Sequence, residues 1–314
     1  MKMKTKIFTL ILSFVLLLLV SCKAEPQKET ETTTFNNQTT TEANQSEESS
    51  ETDNSDSNFI LVLQTVFDAN DNEISRCEYT YDEFGNKKSE LRYLNGELTQ
   101  RTDSTHDADQ MLVREVYTSF NMGVAESYIY DYEYDENGNM TTRRMMDTNG
   151  YLSILTYEYD ETGKLIKTTD SNNSQTVYSY PDENTCIILS QSGDGKTFSQ
   201  TKEIYDNSGN LIRQISYQQN SYEEIDYEIA NTYNEYGQQL ASELYMKGVL
   251  NSGLYSEYEG DRCVCTTHQN AESIYLIEEY EYDQYGNLLK KVSKTSSGLI
   301  MYYSVHEYDI VDRP

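Results

Sequence analysis

Residues 128–139 read Tyr128-Ile129-Tyr130-Asp131-Tyr132-Glu133-Tyr134-Asp135-Glu136-Asn137-Gly138-Asn139, and this stretch decides the fold. Tyr128, Tyr130, Tyr132 and Tyr134 fall on one side of an extended chain, with Ile129, Asp131 and Glu133 on the other. Such period-2 alternation predicts a strand with one covered face and one wetted face. A turn follows: Asp135 suits the first position of a type I turn, and Gly138 comes three residues later, where positive φ is needed. The combination is that of a hairpin closed by a type I turn with a glycine bulge.

The signature recurs along the chain. Full copies stand at Tyr81-Asp82-Glu83-Phe84-Gly85-Asn86, Tyr205-Asp206-Asn207-Ser208-Gly209-Asn210 and Tyr282-Asp283-Gln284-Tyr285-Gly286-Asn287. Near copies are Tyr159-Asp160-Glu161-Thr162-Gly163-Lys164 and Tyr233-Asn234-Glu235-Tyr236-Gly237-Gln238. The glycines at 85, 138, 163, 209, 237 and 286 are spaced by 53, 25, 46, 28 and 49, one or two multiples of roughly 25. A fixed period means one supersecondary unit stacked many times. Worn copies fill the long gaps: His106-Asp107-Ala108-Asp109-Gln110, Tyr180-Pro181-Asp182-Glu183-Asn184 and Tyr258-Glu259-Gly260-Asp261-Arg262. Tyr308-Asp309 opens one more, for about ten in all. Midway between motif glycines lie second turns, at Asn95-Gly96, Asp147-Thr148-Asn149-Gly150 and Ser192-Gly193-Asp194-Gly195. Two strands per unit give about twenty strands, and an open twisted sheet rarely exceeds ~10 without curling or splitting. The expectation is an all-β fold: a long antiparallel meander of about ten two-stranded repeats, curled into a trough, spiral or partial shell, over residues 59–314.

These Tyr-Asp-x-x-Gly-Asn units resemble the YD repeats of Rhs- and teneurin-type proteins across most of residues 59–314. In that family the repeats build β-sheet shells that wrap into hollow barrels, sometimes around a toxin domain. The resemblance implies a short, open YD-repeat domain here.

The first residues look like an address. Lys2, Lys4 and Lys6 precede an apolar run from Ile7 to Val20, too short for a comfortable span and right for a signal-peptide core. It ends in Leu19-Val20-Ser21-Cys22, which resembles a bacterial lipobox, implying a signal peptide over 1–21 and lipidation (palmitate among the acyl chains) at Cys22. The plain alternative is a secretory signal with a chance cysteine. Residues 22–58, rich in Ser, Thr and Glu, carry too few apolar side chains to offset ordering entropy and read as a disordered tether. At roughly 5–6 Å × √n it holds the fold about 30–35 Å from a bilayer. The expected location is a cell membrane or outer membrane, facing outside the cytoplasm.

The chain's formal charge is −29, of which −25 falls on residues 59–314. That sign opposes nucleic acid and anionic lipid. It suits cationic partners, divalent ions or plain solubility. Cys77, Cys186, Cys263 and Cys265 show no tidy disulfide framework, and Cys263 and Cys265 are placed on one strand face by their spacing. No set of four zinc ligands occurs, and no cofactor is implied.

Twenty-nine tyrosines with no tryptophan leave two readings open. Tyrosines can stack in cross-strand ladders, ring covered and hydroxyl reaching water or a neighbour. Alternatively, Tyr130, Tyr132 and Tyr134, or the off-repeat Tyr302 and Tyr303, offer rings to a sugar. Asp68-Ala69-Asn70-Asp71-Asn72-Glu73, and Asp103 with Asp107 and Asp109, gather oxygen ligands of the kind calcium takes, yet no EF-hand Gly or Glu is in place. Turn-forming Asx residues explain the same composition. His106, His268 and His306 stand in worn copies, and no nucleophile elbow, HExxH, P-loop or dinucleotide fingerprint occurs. The expected function is a non-catalytic binding or scaffolding module for glycan, cell-wall polymer or protein, with membrane contact through Cys22. The alternatives are a fragment of an Rhs-like delivery shell and a carboxylate-based glycan hydrolase.

Overall fold

The computed structural model describes residues 59–121, 123–218 and 221–310; the leader, Cys22 and the tether lie outside the described residues. Twenty strands follow one another. They are β1 (Phe59–Asp68), β2 (Glu73–Tyr81), β3 (Lys87–Leu94), β4 (Glu97–His106) and β5 (Leu112–Asn121). Next come β6 (Val124–Tyr134), β7 (Met140–Asp147), β8 (Leu152–Tyr159), β9 (Leu165–Asp170) and β10 (Gln175–Asp182). Then β11 (Thr185–Gln191), β12 (Thr197–Tyr205), β13 (Leu211–Gln218), β14 (Ser221–Tyr233) and β15 (Gln239–Met246). The last five are β16 (Val249–Glu259), β17 (Arg262–Asn270), β18 (Ile274–Tyr282), β19 (Leu288–Lys294) and β20 (Ile300–Ile310). No helix occurs among the described residues.

Each strand pairs antiparallel with its sequence neighbours, as β1 with β2 and β2 with β3. The last strand then returns to the first: β20 pairs with β1 from Phe59↔Ile310 to Asp68↔Tyr302. The sheet is therefore a closed barrel, and the expected trough, spiral or partial shell is corrected on this point. The physical reason is cumulative twist. Strands rotated steadily against one another curl the sheet, and an even number in up-and-down order brings the two edges together antiparallel. Closure also removes both open edges, each a row of unpaired donors and acceptors.

Turns fall at two rims. The Tyr-Asp-x-x-Gly-Asn turns occupy one, called here the motif rim, where β1 begins and β20 ends. The midway turns occupy the far rim. At both rims the commonest loop has the same frame, a backbone N–H from its fourth residue to its first carbonyl and one from the first back to the fifth. Gly85 N to Asp82 O (3.1 Å) with Asp82 N to Asn86 O (2.9 Å) is one such pair, and Gly150 with Asp147 repeats it at the far rim. The worn copy at Asp107 keeps the frame, with Gln110 at φ 64° in place of glycine. Those at Asp182↔Thr185 and Glu259↔Arg262 shorten to two-residue loops.

The register sorts side chains onto two faces. Tyr130 lies opposite Glu115 and Met145, and Tyr132 opposite Arg143, on the face that carries the motif tyrosines. Side chains inside a closed sheet converge and those outside splay, so enclosure of long charged groups tells the faces apart. On the tyrosine face Glu90 and Glu278 are only 9% and 11% exposed, whereas Arg114 and Glu133 on the other are 54% and 51% exposed. The buried outer-face residues Thr65, Ile215, Ala241 and Val292 carry no charge. The tyrosine face is the inner one.

Candidate functional site

Each letter of the repeat has a separate job at the motif rim. Asp135 Oδ1 accepts the backbone N–H of Asn137 and of Asn139, both at 2.9 Å, and its Oδ2 accepts the Asn139 side-chain amide at 3.0 Å. The Asn139 amide and these backbone groups hold the Asp135 carboxyl below the usual range. The same cage forms at Asp82 with Asn86, Asp206 with Asn210 and Asp283 with Asn287. At Asp160 the Thr162 hydroxyl supplies the extra bond, and at Asn234 the Tyr236 and Gln238 N–H groups are held by an amide oxygen. Gly138 sits at φ 82° and Gly286 at 93°, left-handed backbone that glycine adopts without steric cost. Gly85, Gly163, Gly209 and Gly237 repeat this at equivalent places. The acidic turns read as possible cation loops use the same oxygens. Asp68 Oδ1 accepts the N–H of Asn70 and Asn72, and Asp107 those of Asp109 and Met111.

Except for Tyr205, whose hydroxyl donates to Glu203 in its own strand, the motif tyrosines join one hairpin to the last. Tyr134 ends β6, whose ladder with β5 stops at Arg114↔Asp131, and its hydroxyl donates to the carbonyl of Leu112 at 2.8 Å. Tyr81 reaches Leu61, Tyr159 Met140, Tyr180 Leu165, Tyr233 Leu211, Tyr258 Gln239, Tyr282 Cys263 and Tyr308 Leu288 in the same way. In every case the acceptor lies at the start of the preceding strand, just past the end of its ladder. A carbonyl left unpaired by the splayed strands is thus satisfied by a side chain. Burial pushes up the phenols of Tyr81, Tyr134, Tyr159, Tyr258, Tyr282 and Tyr308, and that of Tyr180 to about 12.

The tyrosines singled out for a ligand are spread around the wall. Tyr132 donates to Glu115 Oε2 at 2.6 Å beside Tyr130 and Tyr134 on β6. Tyr302 and Tyr303 are consecutive on β20, which pairs with β1 and β19 and not with the β5–β7 region. Tyr303 stacks on Phe67 outside the barrel (5.1 Å between centroids) and donates to Asp71 Oδ1 at 2.8 Å. Tyr302 shares its position across the sheet with Ser293, on the inner face. Cys263 and Cys265 are separated as well. A bulge between Glu257 and Tyr258 places an extra residue at Val264, so their i, i+2 spacing no longer puts them on one face. Among the described residues all four cysteines are free.

A cluster not singled out by sequence lies on the inner face of β17–β20. Thr266, Glu278 and Ser293 align across three strands, with Tyr280, Lys291 and Ser304 in the next row. Glu278 accepts from Lys291 Nζ at 2.9 Å, His268 Nε2 at 3.1 Å, Tyr280 OH at 3.2 Å and Ser293 Oγ at 3.3 Å. Burial alone would raise its carboxyl, but the His268 hydrogen bond and the Lys291 ammonium overcome this and hold it at about 2. His306, beside Ser304 Oγ at 3.0 Å, is pushed the other way, to about 4, by burial and the nearby Lys291 charge. Across the closure, Lys87 and Arg92 bind Glu90 on the same face. An efficient acid–base catalyst titrates near the working pH. Glu278 and His306 are both displaced from neutrality, and the network ties three strands of the wall together.

Residues 134–174, which hold two motif turns and the strands between them, match the RHS Repeat family model. The units at Asp82 and Asp283 share both the cage and the tyrosine bond of this stretch, and the unit at Asp206 shares the cage alone. Among solved structures, the crystal structure of TcdB2-TccC3-Cdc42 is similar at 15% identity, over 75% of this chain and 13% of that one, with a TM-score of 0.34. A porin-like protein from Bacteroides uniformis ATCC 8492 is similar at 9% identity, over 79% and 96%, at 0.35. The Tc holotoxin pore of Photorhabdus luminescens is similar at 12% identity, over 80% and 16%, at 0.25. The chain thus spans less than a fifth of either toxin chain, and scores this low transfer no function. No curated protein matches the sequence.

Proposed function

We propose that the protein is a small, non-catalytic shell of RHS repeats that encloses or scaffolds a guest polypeptide or glycan. In this proposal the shell is carried outside the cytoplasm on a tether lipidated at Cys22. The pairing of β20 with β1 carries the reading, because it turns a stack of hairpins into a wall with an inside. The match to the RHS Repeat model over 134–174 supports it, as do the phenols that tie most hairpins to the one before. Charged side chains recur along the outer wall, from Arg114–Asp131 near the motif rim through Arg101–Asp103 at mid-strand to Lys294–Glu279. A transmembrane barrel instead presents an apolar band ~25 Å tall. The wall is built to stand in water.

The test recovers the full-length protein from membranes in detergent and treats it with protease. A guest that survives with the wild type and is digested after Thr65→Pro, which breaks the β1–β20 pairing, supports the shell. Absence of any protected species overturns it. Membrane recovery that is unchanged in Cys22→Ala, with no palmitate label lost, would remove the anchor from the proposal.

A second reading is favoured by Tyr236 and Tyr285, 78% and 63% exposed at the tips of motif turns. Tyr285 leans on Phe59 at 5.0 Å between centroids, whereas the more exposed Tyr236 ring beside its turn oxygens suits stacking on sugar, so a glycan or wall polymer would bind at the rim. A guest retained equally by Thr65→Pro and lost in Tyr236→Ala favours this reading over enclosure.

A further inference from the structure

The two rims differ in charge far more than in backbone. The nine loops of the motif rim hold thirteen acids and one lysine, net −12. The ten turns of the far rim, counted over the same frame, hold six acids and two lysines, net −4. Large apolar side chains gather at that less charged end. Leu94, Val124, Leu152, Val249, Ile274 and Leu299 belong to six different far-rim turns and are 48%, 60%, 48%, 67%, 40% and 68% exposed. The motif rim also exposes apolar groups, such as Phe84 at 43%, but sets them among its acids.

We infer that the far rim is a docking surface for a second copy of this chain, joined rim to rim about a two-fold axis. Apolar side chains set along one rim can meet their own copies across a two-fold axis, as an isologous interface requires. Soluble monomers rarely expose contiguous apolar patches above a few hundred Å². The far-rim side chains, with their neighbours in the same turns, offer on the order of 1,000 Å², against ~800 Å² per partner in a standard stable interface. Charge selects the orientation. Two motif rims at net −12 repel each other far more than two far rims at −4. The dimer stands independently of the shell reading, since it needs neither a guest nor a lipid.

The experiment uses the mature chain with Cys22→Ser, free of lipid, in sedimentation-equilibrium and light-scattering measurements at micromolar concentrations. The expected result is a dimer that Val249→Glu and Leu299→Glu each weaken roughly 30-fold or more, as loss of an interface anchor does. Phe84→Glu at the motif rim leaves it intact, and circular dichroism of each variant reports an unchanged β fold. A wild-type chain that stays monomeric at 100-fold higher concentration overturns the inference. So does a dimer lost in Phe84→Glu and kept in both far-rim variants. A monomer that floats with phosphatidylcholine vesicles, and ceases to in Leu299→Glu, overturns it in favour of a lipid surface.

Discussion

Inside the barrel, Glu278 is 11% exposed and receives hydrogen bonds from Lys291, His268, Tyr280 and Ser293. Outside, Arg114 grips Asp131 through two bonds of 2.6 and 3.1 Å, yet the partners are 54% and 37% exposed. By geometry the outer pair is the better salt bridge. By energy it is the weaker, because water competes for both charges and neither has been desolvated. The inner carboxylate has given up its hydration, so every donor around it is needed. The comparison teaches that in this wall, burial and not contact geometry decides which ion pairs hold the fold.

The largest effect should follow from Glu278→Ala. It strands the Lys291 ammonium and removes the acceptor for three other groups, and breaking a buried pair costs about 3 kcal/mol or more. Urea unfolding followed by circular dichroism measures this as a lower midpoint at constant slope. A midpoint shift as small as that of an outer-face variant would erase the distinction between the faces.

Next in size is a pH effect at His306. Its folded value of about 4 lies below the 6.5 of an unperturbed histidine, so between these values the unfolded chain binds a proton that the folded chain does not. Stability from this residue is therefore complete above pH 6.5 and falls as pH drops toward 4. The loss by pH 5 is on the order of 2 kcal/mol. Glu278 acts lower down. Its contribution is present above pH 4.5 and vanishes as pH falls through about 2. Unfolding midpoints at pH 7 and pH 5 should differ less in His306→Gln than in the wild type. Equal differences would place His306 in contact with water.

The third effect is that of a single inter-hairpin bond. Tyr134→Phe keeps the ring and removes only the donor to Leu112 O, at a cost of about 1 kcal/mol. Tyr205→Phe is the sharper control, because the Tyr205 hydroxyl bonds Glu203 in its own strand and joins no hairpins. Hydrogen exchange at the start of β5 should rise in the first variant, and the start of β11 should be unaffected in the second.

Much of this was legible in the sequence. The Asp-x-x-Gly frame and the tyrosine alternation suffice for the strands, the turns and the face each tyrosine takes. Even the worn copy at Asp107 keeps its five-residue turn. Closure was not legible, because it rests on twist summed over twenty strands and on a pairing between residues 59–68 and 302–310 that no local pattern marks. Apart from that of Tyr205, the partner of each motif hydroxyl is a backbone carbonyl, which has no residue-type signature. The inner cluster was half legible. Counting outward from the turn at Asp283 gives Glu281↔Lys290 and Tyr280↔Lys291, which sets Lys291 beside Glu278. Adding His268 requires the register of the preceding hairpin, where a shift between His268 and Gln269 defeats simple counting.

The smallest effect is expected where the contact looks strongest. Arg114→Ala removes both bonds to Asp131, whose carboxyl the guanidinium holds below the usual range. Because both partners stand in solvent, the freed carboxylate is rehydrated at once, and the entropy of two long side chains is recovered. The urea midpoint should stay within error of the wild type, both at low ionic strength and in 0.5 M salt. A clear fall at low salt that disappears at high salt would show that Asp131 feels the fold's −25 charge through Arg114. The outer pairs would then act together against self-repulsion, and the contrast with Glu278 would be one of range rather than of burial.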